Sequence, residues 1–147
     1  MILETRREVI PMAELMPVIS SALEEKKPVE MTVTGNSMMP LFLDRISVVR
    51  LTCPDDLKTG DIVLYKRNDG HFVLHRIVKV HDGLYDIVGD NQFAVDRNVS
   101  KEDIIALVDG FSRDGKRWQS SDGLYRVLLP LLKFTKRVIN KIKRTFS

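Results

Sequence analysis

A mainly β fold, antiparallel and barrel-like or sandwich-like, is predicted for this chain, with one helix ahead of it and a basic amphipathic helix behind it. Three observations carry that prediction. Apolar residues switch from three-to-four spacing before residue 28 to strand-like runs after it. Turns of one chemistry separate those runs: Asn68-Asp69-Gly70, His81-Asp82-Gly83 and Arg113-Asp114-Gly115. From Leu124 onward, apolar residues are interleaved with basic ones and no acidic ones. The chain therefore divides into a helical segment 1–28, a β-rich domain 29–120 and a basic tail 121–147.

The helix spans Met12 to Lys26, with Met12, Leu15, Met16, Ile19, Ala22 and Leu23 on one stripe. Pro17 lies within it, and either disturbs the helix or opens its first turn. Strands are predicted over Met31–Thr34, Ile46–Leu51, Ile62–Arg67, Phe72–Val80, Leu84–Val88 and Ile104–Phe111. Lys116–Gln119 returns as a last strand, with Trp118 covering the sheet. Short antiparallel strands joined by Asp-Gly turns are the signature of a sandwich or barrel.

At 147 residues the chain can bury a real core in one domain. Its single cysteine, Cys53, excludes an internal disulfide framework and a cysteine metal cage, and it reads as a small apolar filler before Pro54. No metal and no cofactor are expected. No apolar run near Met1 is long enough for a signal peptide or a spanning helix, so the body is expected to stay on the side of the membrane where it was made.

The net charge of +3 conceals a segregation. Residues 124–147 hold seven of the 23 basic residues and none of the 20 acidic ones, so the 16 remaining bases leave the body about four charges negative. Val127, Leu128, Leu129, Leu131 and Leu132 flank Pro130, and Phe134, Val138, Ile139, Ile142 and Phe146 continue the apolar face. Such a helix suits an anionic membrane interface, where each Lys or Arg contributes roughly 1 kcal/mol. Docking on the body with a solvated basic face is the other reading. Nucleic acid is not expected as a partner, because the tail lacks interleaved stacking residues.

The chemistry is carried by Ser37, inside Gly35-Asn36-Ser37-Met38-Met39-Pro40. A serine hydroxyl attacks only when a neighbour takes its proton. Ser37 follows a strand, in a loop that can bend at Gly35 and project the side chain. Its own N–H would face a developing oxyanion, a contribution of about 3 kcal/mol. Of three histidines, His71 and His81 flank turns as exposed loop residues, whereas His75 lies mid-strand among Val73, Leu74, Ile77 and Val78. Its imidazole, ionising near about 6.5, suits the general base. Asp90 and Asp96 compete to orient that ring. Asp96 is favoured as the orienter, and Asp90 as a structural carboxylate bracing the same loop.

These residues resemble the type I signal peptidases, most closely the histidine-containing branch of the endoplasmic reticulum, archaea and some Gram-positive bacteria. The shared boxes are Ser37, Met38 and Pro40, then Gly60-Asp61-Ile62-Val63, His75-Arg76-Ile77-Val78, Gly89-Asp90-Asn91, Asp96, and Ile104-Ile105 before Gly110. They span about residues 31–111. The resemblance implies a signal-peptidase-type β body and a Ser–His–Asp apparatus, Ser37, His75 and Asp96. Asp90, Asn36, Gly35, Met38, Pro40 and Arg76 would support it. It implies cleavage after small residues in an extended peptide that adds as a strand. Branches with a Ser–Lys dyad place a lysine where His75 stands. Gly35 occupies a position where many members carry an oxyanion-binding serine, and Asp44-Arg45 replaces a usual Gly-Asp.

The expected function is a serine endopeptidase cutting a leader or signal-like peptide from a precursor. It would work in the cytoplasm or at the cytoplasmic membrane face. The alternative is a weakly active or inactive peptide-binding module of the same fold. A self-cleaving repressor is disfavoured by the missing lysine and the missing DNA-binding helix pair.

Overall fold

Ladder pairing assembles eight strands into one antiparallel sheet in the order β1-β2-β7-β3-β4-β5-β6, with β8 paired to β7. The computed structural model describes residues 11–113 and 115–119. Helix α1 covers Met12–Glu24. The strands are β1 Val29–Thr32, β2 Val48–Thr52, β3 Ile62–Lys66, β4 Phe72–His81, β5 Leu84–Val88, β6 Asp96–Val99, β7 Ile104–Arg113 and β8 Lys116–Gln119. The mainly β body and its leading helix follow the sequence prediction. The sheet is open rather than closed, because β1 and β6 end the ladder without pairing to each other. The basic tail and the Trp118 side chain lie outside the described residues.

Helix α1 starts at Met12 and carries Pro17 inside it, so the proline does not open the first turn. One backbone hydrogen bond is forgone there, on the exposed face of the helix. The opposite face sends Ile19 and Leu23 into the core. Strand β2 begins two residues later than predicted, since Ile46 and Ser47 donate their N–H groups to Leu43 in a tight turn. Strand β6 was not predicted. Asp-Arg-Asn-Val has no apolar alternation, and the pairing Tyr85↔Val99 and Ile87↔Asp96 is what makes it a strand.

Strand β3 buries four consecutive side chains, Ile62 to Tyr65. Alternation sends Ile62 and Leu64 to a core with α1, β1, β2 and β7, while Val63 and Tyr65 enter a second core with Ile77, Tyr85, Ile87 and Ile104. The β4–β5 hairpin closes on the two-residue loop Asp82-Gly83, each at positive φ, as a turn matched to strand twist requires.

His71 is exposed and pairs with Asp69. His81 is not a loop residue: it ends β4 half-buried and donates from Nε2 to Asp86 Oδ1 at 3.0 Å. That bond, then the Asn98 N–H, with help from nearby Arg97, holds the Asp86 carboxyl below its ordinary range against the opposing effect of burial. A lowered carboxylate contributes stability that is full above its unfolded value near about 3.9 and is lost as pH falls through the folded value. Asp86→Asn is expected to cost roughly 1–3 kcal/mol at neutral pH. Its thermal stability should fall less than the wild type's between neutral pH and about pH 3. Thermal melts across that range measure both, and parallel pH profiles would contradict the assignment.

Candidate active site

Ser37 sits on the loop between β1 and β2, and that loop is closed by its own backbone. Val33 N–H donates to the Ser47 carbonyl and Arg45 N–H to the Val33 carbonyl. Gly35, at φ 88°, gives its N–H to Asp44 Oδ1 at 2.8 Å. Asp44 therefore closes the turn that Gly35 opens. Met38 plunges into the first core, and Met39–Pro40 is a cis peptide. The Pro40 carbonyl accepts from Arg113 Nη1 at 3.4 Å.

Residues 89–91 clamp this loop from the other side. Asn91 donates its backbone N–H to the Ser37 carbonyl at 2.8 Å and its side-chain amide to the Asn36 carbonyl at 3.1 Å. Asp90 N–H donates to Met38 Sδ at 3.3 Å. Asp90 itself receives Arg76 Nε and Nη2, each at 2.8 Å, in a bidentate pair whose side chains are 3% and 5% exposed. Arg76 Nη1 reaches the Gly60 carbonyl at 2.8 Å. The expected bracing role of Asp90 thus has a defined geometry. It ties the Gly60-Asp61 turn, β4 and the serine loop together.

His75 faces the second core from β4, opposite Val63, with 3% of its surface exposed. Gly89 lies between the His75 ring and the Ser37 backbone carbonyl. A Cβ on Gly89 would lie 2.7 Å from the Ser37 carbonyl oxygen and 3.1 Å from His75 Cδ2, so only glycine admits this approach. The Cδ2 edge of the ring, which adjoins Nε2, is therefore turned toward the serine loop. On the other edge, Nδ1 lies 3.2 Å from the Tyr65 hydroxyl.

Asp96 connects to His75 through Tyr65. The Tyr65 hydroxyl donates to Asp96 Oδ2 at 2.5 Å. Arg67 grips the same carboxylate, Nε to Oδ2 at 3.0 Å and Nη2 to Oδ1 at 3.2 Å. Burial, then the hydrogen bond and negative charge of Asp96, push the Tyr65 phenol far above its ordinary range, so it keeps its proton. Asp96 borders a polar cleft of about 390 Å³ that Asn98, Ser100 and Asp103 also line.

Sequence reasoning missed Tyr65, Arg67 and Asp44. Tyr65 had one readable signal, a phenol in an otherwise aliphatic strand whose hydroxyl needs a partner. Arg67 and Asp44 had none, since their partners are 29 and nine residues away.

A second, smaller cleft of about 90 Å³ opens beside Ser37, lined by Met12, Met31, Met38, Leu64, Phe72 and Leu74 among others. The β4–β5 register begins at Arg76↔Val88, so among the described residues Phe72–Leu74 lie beyond the β5 ladder. No three His, Cys, Asp or Glu side chains gather as metal ligands among the described residues, and no described helix is long and apolar enough to cross a membrane. No protein-family model matches the chain, and no curated protein matches it in sequence.

Proposed function

We propose that this chain is a serine endopeptidase of the signal-peptidase type, cutting an extended leader-like peptide at Ser37. The observation that supports the reading is the packing about Gly89, where the Ser37 backbone carbonyl and His75 Cδ2 lie on either side of the position a Cβ would take. In the reaction Ser37 Oγ attacks the scissile carbonyl carbon while its proton passes to His75. The tetrahedral intermediate collapses to an acyl-enzyme as the C–N bond breaks, and His75 returns the proton to the leaving amine. Water then attacks the ester by the same route, releasing the new carboxylate and restoring Ser37.

Two features support the substrate class. The Phe72–Leu74 stretch of β4, which lies beyond the β5 ladder, suits an extended peptide added as a strand, the main chain giving affinity and the pocket specificity. The cleft of about 90 Å³ beside Ser37, lined by Met31, Met38, Leu64 and Phe72, suits a small apolar side chain. The tail 121–147 would bring the enzyme to an anionic cytoplasmic membrane face, in keeping with the seven bases and no acids of residues 124–147.

A fluorophosphonate probe tests the chemistry, because it labels only an activated serine. Covalent labelling at Ser37, mapped by mass spectrometry, is expected, together with cleavage of extended peptides after Ala or Gly and not after Phe. Peptide binding without labelling would leave the second reading, a binding module with weak or no catalysis. Gly35 favours that reading, since it brings no side-chain donor to the oxyanion and its N–H is committed to Asp44.

A further inference from the structure

Tyr65 stands between the base and the carboxylate, and we propose that it is the positioning residue that fixes the tautomer of His75. The inference rests on the peptidase reading for its consequence in catalysis, but not for its geometry. The phenol is fully buried on β3, with its oxygen 2.5 Å from Asp96 Oδ2 and 3.2 Å from His75 Nδ1. A phenol has one proton to give, and an ionised carboxylate can only accept. The Tyr65 proton therefore lies toward Asp96, whose two oxygens also accept from Arg67. The phenolic oxygen is left with lone pairs alone, so the hydrogen shared with the ring comes from His75 Nδ1.

That assignment settles the other side of the imidazole. A neutral ring carrying its hydrogen on Nδ1 has its lone pair on Nε2, next to the Cδ2 atom that faces Gly89 and the Ser37 loop. Only this tautomer can accept the serine proton. In the usual triad a carboxylate bonds the ring directly; here a neutral phenol relays its orientation and places the negative charge one group further away. When His75 becomes imidazolium, Nδ1 remains a donor to Tyr65, so proton uptake needs no rearrangement of the chain of bonds.

The test reads the tautomer itself. With ¹⁵N-labelled histidine in the full chain, long-range proton–nitrogen spectra at a pH above the His75 titration distinguish a protonated from an unprotonated ring nitrogen. The wild type is expected to show His75 with hydrogen on Nδ1. Asp96→Ala removes the acceptor, frees the Tyr65 proton to turn onto Nδ1, and is expected to move the hydrogen to Nε2. Tyr65→Phe keeps the ring packing and is expected to give a mixture of tautomers, with kcat on peptide lowered roughly 10²- to 10⁴-fold and KM within about twofold. A wild-type spectrum with hydrogen on Nε2 overturns the proposal and needs no variant to fold. So does an unchanged tautomer in a folded Asp96→Ala chain. If the wild type cleaves no peptide while the tautomers respond as stated, the peptidase reading fails and the role of Tyr65 stands.

Discussion

Replacing Ser37 by alanine is expected to lower peptide hydrolysis roughly 10⁴-fold or more, the scale on which removal of a serine nucleophile is felt. Stability should hardly move. The clamp on this residue uses its backbone carbonyl, which Asn91 N–H takes at 2.8 Å and which alanine retains. The side chain is only half-buried, so its loss opens no cavity in the core. Coincident unfolding curves with activity at the level of buffer alone are the expected pair of results. Residual hydrolysis within tenfold of wild type would show that the nucleophile lies elsewhere. A matched loss of stability would show that the hydroxyl belongs to the fold.

Asp90→Ala should have the opposite profile, with the largest stability cost of any substitution near the site. It strips the buried Arg76 guanidinium of a bidentate carboxylate, a change that costs roughly 3–5 kcal/mol in a buried pair. For a chain of this length that lowers Tm by roughly 10–20 °C. Activity should fall with it, since Asp90 links the Arg76 brace to Met38 and sits between Gly89 and Asn91. The double variant Arg76→Met with Asp90→Leu separates charge from packing. It should be more stable than Asp90→Ala alone, because two apolar side chains leave no buried charge behind. A double variant as unstable as the single one would mean that the pair is needed for its geometry and not only for its neutrality.

Much of this was legible in the sequence, and the missing parts share a cause. Local signals sufficed for α1, for β3 and β4, and for the Asp82-Gly83 hairpin, because each is decided by residues within a few positions of one another. Strand β6 escaped because its residues are polar and only a partner strand makes them extended. The contacts on which the roles expected of Asp90 and Asp96 depend were not legible. Asp90 is bound to Arg76 fourteen positions away, and Asp96 to Tyr65 thirty-one positions away. Such contacts are set by register: Tyr65 and His75 face one core because β3 and β4 pair Val63 with His75. A shift of one residue would turn that face away.

Strand β3 also has a consequence for how the molecule comes apart. Its alternate side chains belong to two cores, one carrying the Ser37 loop through Met38 and the other adjoining His75 through Tyr65. Neither core can melt while the other keeps this strand in place. The Ser37 loop and His75 are therefore coupled through one strand, and β3 is expected to be among the slowest-exchanging backbone of that unit. Local opening that frees the Ser37 loop is expected to loosen the surroundings of His75 with it.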